Sequence, residues 1–163
     1  MPTGMGYDIH RLVAGRKLVL GGVAVPYDKG LLGHSDADVL VHAVCDALLG
    51  AAGLGDIGEH FPDSDPAYRG ISSLVLLQKT CDMLRAAGWR VTHLDATLLA
   101  EAPRLTPHKQ AMRQALSQVM AIAPRQINIK AKTTEGLGAI GRGEGIAAMC
   151  VADVAAIRNT DEE

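Results

Sequence analysis

This sequence has few aromatic residues, few cysteines and no long apolar run, and each shortage argues against a class of protein. Phe, Trp and Tyr make up 3% of the 163 residues, too little for a surface that stacks nucleic-acid bases. The formal net charge of −2 argues likewise against a nucleic-acid or acidic-membrane partner. No apolar run reaches the ~18 residues that a membrane-spanning helix needs, and we expect no secretory signal.

Cysteine use indicates a reducing compartment. Cys45, Cys81 and Cys150 are widely separated and form no C-x-x-C pair, so we expect reduced thiols and a cytoplasmic location. The remaining composition, 48% hydrophobic and 21% charged, is ordinary for a soluble globular chain that is long enough to bury a core. We expect one domain over residues 1–157, followed by a charged tail over residues 158–163.

Hydrophobic periodicity predicts an α+β fold. The predicted elements are strands over 4–13 and 17–25, helices over 35–52 and 71–87, a strand over 89–100, a helix over 106–123, and strands over 126–133 and 146–157. Gly21-Gly22 should form a bulge or tight turn, and 28–34 a loop. With strands at both ends and helices between them, a mixed sheet should carry helices on one face and bury its other face by oligomerisation.

Three finer predictions concern single segments. Ser35 or Asp36 should cap the first helix. The long polar segment 53–66 should be a functional loop. In the strand over 89–100, alternation predicts one face with Leu94, Ala96, Leu98 and Ala100 and an opposite face with Val91, His93, Asp95 and Thr97.

Asp8 and His10 are candidate metal ligands. They are two residues apart on a predicted strand, so their side chains point to the same face. His42 lies on the first helix, where it shares a polar face with Asp38 and Asp46 at four-residue spacing. One oxygen and two nitrogens with an open fourth position are typical of catalytic zinc. The alternative is that Asp8 and His10 are surface groups on an edge strand.

The segment Lys130-Ala131-Lys132-Thr133-Thr134-Glu135 is a candidate phosphate site. Its ammonium groups and hydroxyls suit phosphate oxygens, and Glu135 could hold Mg²⁺. The alternative is a capped strand end with a solvated Glu. A glycine-rich loop should follow over 136–145. Its Gly136-x-Gly138-x-x-Gly141 matches a dinucleotide fingerprint, but the segment after it is strand-like, so we reject that function. Together with the lack of a placed nucleophile, these features favour electrophilic catalysis on a phosphate ester or diphosphate.

Six ordered motifs then reveal a resemblance that spans nearly the whole chain. They are Gly6-Tyr7-Asp8-Ile9-His10-Arg11, Gly33-His34-Ser35-Asp36-Ala37-Asp38 with His42, Gly55-Asp56-Ile57-Gly58, Phe61-Pro62-Asp63, Lys130 to Glu135, and Gly141-Arg142-Gly143-Glu144-Gly145-Ile146-Ala147. Together they resemble the 2-C-methyl-D-erythritol 2,4-cyclodiphosphate synthases of the non-mevalonate isoprenoid pathway. The resemblance implies a homotrimer with three active sites at subunit interfaces.

The resemblance also implies roles for particular residues. Zinc would be bound by Asp8, His10 and His42, and Mg²⁺ or Mn²⁺ by Glu135, while His34 and Thr133 would stabilise the transition state. The methylerythritol phosphate and diphosphate would be held by His34, Ser35, Asp56, Ile57, Gly58, Phe61, Pro62, Asp63, Ser64, Asp65, Lys132, Thr133, Thr134 and Arg142. Cytidine would be bound by Ala100, Glu101, Ala102, Pro103, Arg104, Leu105 and Thr106.

The implied enzyme is a phosphorus–oxygen lyase. In 4-diphosphocytidyl-2-C-methyl-D-erythritol 2-phosphate, the 2-phosphate would attack the β-phosphorus, close the cyclic diphosphate and expel CMP.

Two departures from the family concern ligands. Ala139 stands where many relatives carry Phe, which alters the apolar trimer-axis cavity in which some members bind an isoprenoid diphosphate. Lys132 stands where some carry Thr, and it would add charge near a phosphate or point to solvent.

Two rival functions remain at the level of sequence. One is a zinc-dependent phosphohydrolase, in which water attacks instead of the internal phosphate. The other is a non-catalytic metal-binding protein. Structural zinc usually has four protein ligands, often Cys, and the three cysteines are not placed for that, which favours a catalytic centre.

Overall fold

The computed structural model describes residues 1–157 as an α+β fold, as predicted. Its strands are β1 (Thr3–Ala14), β2 (Leu18–Leu20), β3 (Val23–Val25), β4 (Lys29–Leu31), β5 (Trp89–Leu99), β6 (Ile127–Lys132) and β7 (Gly145–Ala156). Its helices are α1 (Val39–Ala52), α2 (Ile57–His60), α3 (Ser73–Ala86), α4 (Lys109–Met120) and α5 (Gly138–Gly141). The charged tail expected over 158–163 lies outside the described residues.

The main sheet has five strands in the order β4-β1-β7-β5-β6, and β2 and β3 form a separate hairpin. Only the β5–β6 pair is parallel within the described part of this sheet, so it is mixed, as predicted. The α1, α3 and α4 helices pack on it or on one another. No helix among residues 1–157 is long and apolar enough to span a membrane.

The two faces of the sheet differ in burial. The face covered by helices carries buried side chains such as Leu94, Leu98 and Ile129. The opposite face exposes large apolar side chains on the neighbouring strands β1 and β7, namely Met5, Tyr7, Ile9, Met149 and Val151, each 43–66% exposed. A monomeric protein rarely leaves such a contiguous apolar patch in water.

Two glycines let α1 lie directly against β1. A Cβ atom on Gly6 would lie 2.0 Å from the Ala43 carbonyl oxygen, and one on Gly4 would lie 2.1 Å from that of Ala47. Any side chain at either position would therefore push the helix off the strand. This close contact places His42 of α1 over the inward face of β1.

Asp38, rather than the predicted Ser35 or Asp36, caps α1. Its buried carboxylate accepts hydrogen bonds from Val41 N–H and from the N–H groups of Gly21 and Gly22 in the β2–β3 turn. The side chain thus joins the hairpin to the helix and does not belong to the predicted polar face. The Gly21-Gly22 pair forms a tight turn, one of the two predicted alternatives.

Three other local predictions were wrong or incomplete. The predicted loop over 28–34 contains β4, which pairs with the end of β1, and the glycine-rich loop over 136–145 contains the single helical turn α5. Val91 was placed on the polar face of its strand but is buried. A register shift between Val91 and His93 reverses the alternation, because an extra residue in a strand turns the next side chain to the other face.

Because Gly6 lies against α1 and Gly50 has open space around it, we predict opposite effects for Gly→Ala changes at these two positions. Gly6→Ala should destabilise the fold by about 1–3 kcal/mol, because its methyl group overpacks the α1–β1 contact. Gly50→Ala is the matched control: Gly50 lies near the end of α1 with nothing within 4 Å of its Cβ position, and Ala there should stabilise by up to about 1 kcal/mol. Urea unfolding at one protein and metal concentration measures both, and a Gly6→Ala variant as stable as the parent would contradict the prediction.

Candidate active site

Asp8, His10 and His42 converge on one point between β1 and α1. Asp8 Oδ2 lies 2.9 Å from His10 Nε2 and 3.0 Å from His42 Nδ1, and the two ring nitrogens are 3.2 Å apart. Asp8 and His10 reach this point from alternate positions of β1, and His42 comes from the first turn of α1. The structure thus brings together the three side chains that the sequence suggested as metal ligands.

The donor atoms fit a divalent metal. Bonds of about 2.0–2.1 Å to a tetrahedral ion place neighbouring ligand atoms about 3.3 Å apart, close to the three distances found here. His10 Nδ1 lies 2.7 Å from the Leu32 carbonyl oxygen, which can only accept, so this nitrogen carries the proton. His10 Nε2 is therefore the ring nitrogen that faces the Asp8 carboxylate, and in the neutral ring its lone pair is free to bind a metal.

The electrostatics favour a cation at the same point. Burial alone would raise the pKa of Asp8, but hydrogen bonds with His10 and His42 outweigh it and hold the pKa well below its usual range. Burial would lower the pKa of His10, but the adjacent Asp8 carboxylate raises it instead. Asp8 is therefore a stable negative charge facing two imidazoles, and a bound metal would replace the proton that they share.

The three ligands open onto a cavity of about 380 Å³. It is lined by Asp8, His10, Gly33, His34, Ser35, His42, Asp46, Ile57, Gly58, Phe61, Pro62, Asp63, Tyr68 and Leu76. We call it the metal cavity. It contains most of the residues that the family resemblance suggested for the methylerythritol phosphate, so these candidates form one continuous surface beside the triad.

A second cavity of about 220 Å³ lies at the end of β6. It is lined by Ala100, Glu101, Pro103, Arg104, Leu105, Thr106, Ala131, Lys132 and Thr133, and we call it the β6 cavity. All candidate cytidine ligands except Ala102 line it. Glu101 accepts the Thr134 N–H at 3.3 Å, so the Ala100–Thr106 loop is joined to the phosphate-type segment.

Several candidate residues line neither cavity, and some of them hold loops in place instead. Asp56 and Asp65 accept the N–H groups of Glu59 and Ala67 and cap the short helical turns that follow them. Thr134, Glu135, Ser64, Ala102 and Arg142 are also outside both linings. Glu135 accepts the Thr133 hydroxyl proton at 2.9 Å, and Arg142 pairs with Glu144 at 2.6 Å.

Within one chain the two cavities are separate. One row of paired residues crosses the sheet through Ile9, Ala147, Leu99 and Lys132. Three strand-to-strand steps of about 4.8 Å put Ile9 and Lys132 about 14 Å apart. Asp8 and His10, the neighbours of Ile9, point to the helix-covered face, whereas Lys132 is exposed on the other.

Sequence reasoning assigned no role to several lining residues, among them Asp46, Tyr68 and Leu76. Asp46 lies one helical turn after His42, and this spacing was the sequence signal that could have placed it in the site. It accepts the Ile57 N–H at 2.8 Å, and burial raises its pKa. Tyr68 packs edge-on against Phe61 with ring centroids 5.4 Å apart, a contact between two loop positions that no local pattern indicates.

The chain is similar to known proteins along nearly its whole length. A 2-C-methyl-D-erythritol 2,4-cyclodiphosphate synthase of Desulfatibacillum aliphaticivorans is 61% identical over 152 residues, which cover 93% of this chain and 98% of that protein. The structure of the bifunctional IspDF from Campylobacter jejuni has a TM-score of 0.92 at 41% identity, over 96% of this chain and 42% of that one.

A further solved structure agrees with this relationship. A CDP-bound 2C-methyl-D-erythritol-2,4-cyclodiphosphate synthase is 39% identical, with a TM-score of 0.86 over 94% of this chain and 99% of that one. The model of the YgbB family matches residues 1–155. From the site, the fold and these likenesses together, the chain belongs to the YgbB family.

Proposed function

We propose that the metal cavity and the β6 cavity are two halves of an active site that forms a cyclic diphosphate. The chain acts in isoprenoid biosynthesis as a cyclodiphosphate synthase, a lyase of phosphorus–oxygen bonds. The observation that supports this location best is the convergence of Asp8, His10 and His42 at the edge of a cavity. In the proposed reaction, the substrate's 2-phosphate attacks the β-phosphorus and CMP leaves.

Zinc is the metal that we propose for the triad. One carboxylate and two imidazoles with an open fourth position are a donor set typical of catalytic zinc. Zinc bound there would supply a Lewis acid that neutralises phosphate charge. The chain's own residues would orient the substrate: His34 and Ser35 line the same cavity, and His34 would stabilise the transition state.

Asp46 and the loop aromatics would shape the rest of the metal cavity. Asp46 fixes the start of α2 through the Ile57 N–H and so places the Ile57 and Gly58 backbone at the cavity wall. Phe61 and Tyr68 form an apolar wall suited to the carbon skeleton of methylerythritol. Residues Pro62 to Asp65 continue this loop and, with Asp56, would complete the enclosure.

The β6 cavity is the proposed cytidine site. Its wall is formed largely by the Ala100–Thr106 loop, whose backbone groups around Pro103 would bind the edge of the base. The CDP named for one similar structure supports a cytidine nucleotide as substrate. Lys132, Thr133 and Thr134 follow at the end of β6 and would line the diphosphate, with Thr133 stabilising the transition state.

Glu135 is the proposed ligand of the second metal. Its carboxylate accepts the Thr133 hydroxyl at 2.9 Å, so the metal ligand and a candidate phosphate donor are held together. Mg²⁺ or Mn²⁺ takes few protein oxygens and several phosphate oxygens, and one exposed carboxylate is enough for that. Held in line by both ends of the site, the two phosphates would react without a general base, since the attacking phosphate is already anionic.

A homotrimer would bring the two halves together. Within one chain the cavities are separate, and an exposed apolar face such as that of β1 and β7 is typical of a subunit interface. Packing three copies through this face would place the metal cavity of one subunit beside the β6 cavity of the next. Arg142 and Glu144 would then lie near the threefold axis, where Ala139 decides how much room an isoprenoid diphosphate finds.

We also propose that residues 1–157 act as one domain and that the protein works in the cytoplasm. Both proposals rest on composition and on the continuous core. A phosphohydrolase and a non-catalytic metal protein were the rival functions at the level of sequence, and ³¹P NMR of the incubated diphosphocytidyl substrate distinguishes both from a cyclodiphosphate synthase. We expect a cyclic diphosphate and CMP, whereas a hydrolysed phosphate or unchanged substrate would contradict the proposal.

Removing one triad ligand should remove the metal. His42→Ala should abolish turnover and release zinc while far-ultraviolet circular dichroism stays unchanged, because only one side chain at a cavity edge is lost. Elemental analysis measures the zinc. His108→Ala, a histidine outside both cavity linings, should keep zinc, and stoichiometric zinc in His42→Ala would refute the ligand assignment.

Removing the charge at position 135 should weaken the second metal. Glu135→Gln keeps a carbonyl oxygen for the Thr133 hydroxyl but offers Mg²⁺ a neutral ligand, so more Mg²⁺ should be needed for half-maximal activity. Titrating activity with Mg²⁺ measures the shift, and zinc content should not change. An unaltered titration would argue against Glu135 as a ligand.

Charging the exposed apolar face should separate assembly from zinc binding. Val151→Lys should shift sedimentation from trimer to monomer and abolish turnover, yet zinc should remain, because all three of its ligands belong to one chain. Val75→Lys on α3 is the matched control, since both valines are 43% exposed. A fully active Val151→Lys monomer would disprove the shared site.

A further inference from the structure

We propose that Ser73, held by Asp36, fixes the ring of His42 in the protonation state that binds metal. Asp36 and Ser73 would then be positioning residues, and this inference rests on the zinc site proposed above. Neither residue lines the metal cavity or the β6 cavity, so both would act through His42 rather than on substrate.

Ser73 is fully buried at the start of α3, and its hydroxyl is already committed. Ser73 Oγ donates to Asp36 Oδ1 at 2.5 Å, and Ser73 N–H donates to Asp36 Oδ2 at 3.0 Å. Both carboxylate oxygens therefore hold the same residue. A buried serine with two such bonds has one orientation available to its hydroxyl.

That orientation determines where His42 carries its proton. Ser73 Oγ lies 2.9 Å from His42 Nε2, and a hydroxyl has only one proton to donate. Because that proton goes to Asp36, the Ser73 oxygen must accept, so His42 Nε2 must donate. In the neutral imidazole, which is the form that binds a metal, Nδ1 then carries no proton and turns its lone pair toward Asp8 and His10, where the metal would lie.

Ser35 is the competing neighbour of the same nitrogen. Its Oγ lies 3.2 Å from His42 Nε2 and accepts the Ala37 N–H at 3.0 Å, so its own proton is free to point at the ring. Donation from Ser35 would require a bare Nε2, which would leave Ser73 without a donor and put a proton on Nδ1 among the ligands. The shorter contact with Ser73 and its fixed hydroxyl favour the first arrangement.

Asp36 is itself held in place through both its backbone N–H and its carboxylate. Its N–H donates to the Ile71 carbonyl oxygen at 3.0 Å, and its Oδ1 also accepts the Asp38 N–H at 3.2 Å. Ser72, the N-cap residue of α3, makes no side-chain cap bond, so the Asp36 carboxylate takes that function at this helix terminus. The residue thereby joins the segment before α1 to the first turn of α3.

Zinc affinity in two adjacent serine variants tests the proposal. Ser73→Ala should weaken zinc binding about tenfold or more, as expected when the outer partner of a ligating histidine is lost. Ser72→Ala changes the neighbouring exposed serine, which makes no side-chain bond, and should leave the affinity unchanged. Competition with a chromophoric chelator measures both, with circular dichroism and sedimentation to verify fold and assembly.

The protonation state of His42 gives a second readout that does not depend on activity. Two-bond ¹H–¹⁵N spectra of the zinc-free protein should show His42 protonated on Nε2, and both Ser73→Ala and Asp36→Asn should convert it to a mixture of tautomers. A parent protein protonated on Nδ1, or a Ser73→Ala variant with parental affinity and tautomer, would overturn the proposal.

Loss of zinc in Ser72→Ala equal to that in Ser73→Ala would overturn it too, because the cause would then be the helix terminus rather than the histidine contact. Failure of the parent protein to bind zinc at all would instead contradict the proposed metal site. The two ideas therefore fail by different measurements on the same set of proteins.

Discussion

The direct contact of α1 with β1 is the constraint on which the rest of the structure depends. Gly4 and Gly6 leave no side chain between the two backbones, so the helix lies closer to the strand than ordinary helix–sheet packing permits. His42 can reach Asp8 and His10 only because of that approach. The Asp38 cap then holds the helix from its end, by tying it to the β2–β3 hairpin.

Local patterns predicted those parts of the fold whose cause is local. Strand β5 and helices α3 and α4 follow from periodicity, because their apolar positions repeat at the period of the element, and β7 follows from its nearly continuous apolar run. The cap of α1 could not be predicted from local patterns. Ser35, Asp36 and Asp38 all suit that position, and only a contact with a distant hairpin selects Asp38. Strand β4 and the bulge at Val91 have similarly distant causes in the pairing of other strands.

The candidate site likewise contains residues that local patterns predict and residues whose position depends on distant contacts. Asp8 and His10 could be predicted as a pair from strand geometry, His42 from the polar face of the first helix, and the phosphate segment from its residue types. The resemblance to a known family then assigned a role to each. Tyr68, Leu76 and the hydrogen bonds of Asp36 with Ser73 could not be foreseen, because they join residues far apart in sequence. The separation of the two cavities likewise follows only from the strand order, which no sequence pattern gives.

Strand β1 performs different tasks with its alternate residues. Gly4, Gly6, Asp8 and His10 face the helix, and Met5, Tyr7 and Ile9 face the exposed apolar surface. From Gly4 to His10, each position therefore serves helix packing, metal binding or apolar contact. Over evolutionary time this segment should accept substitutions more slowly than any other strand, and mutations that alter its outer face should be selected together with changes in a neighbouring copy.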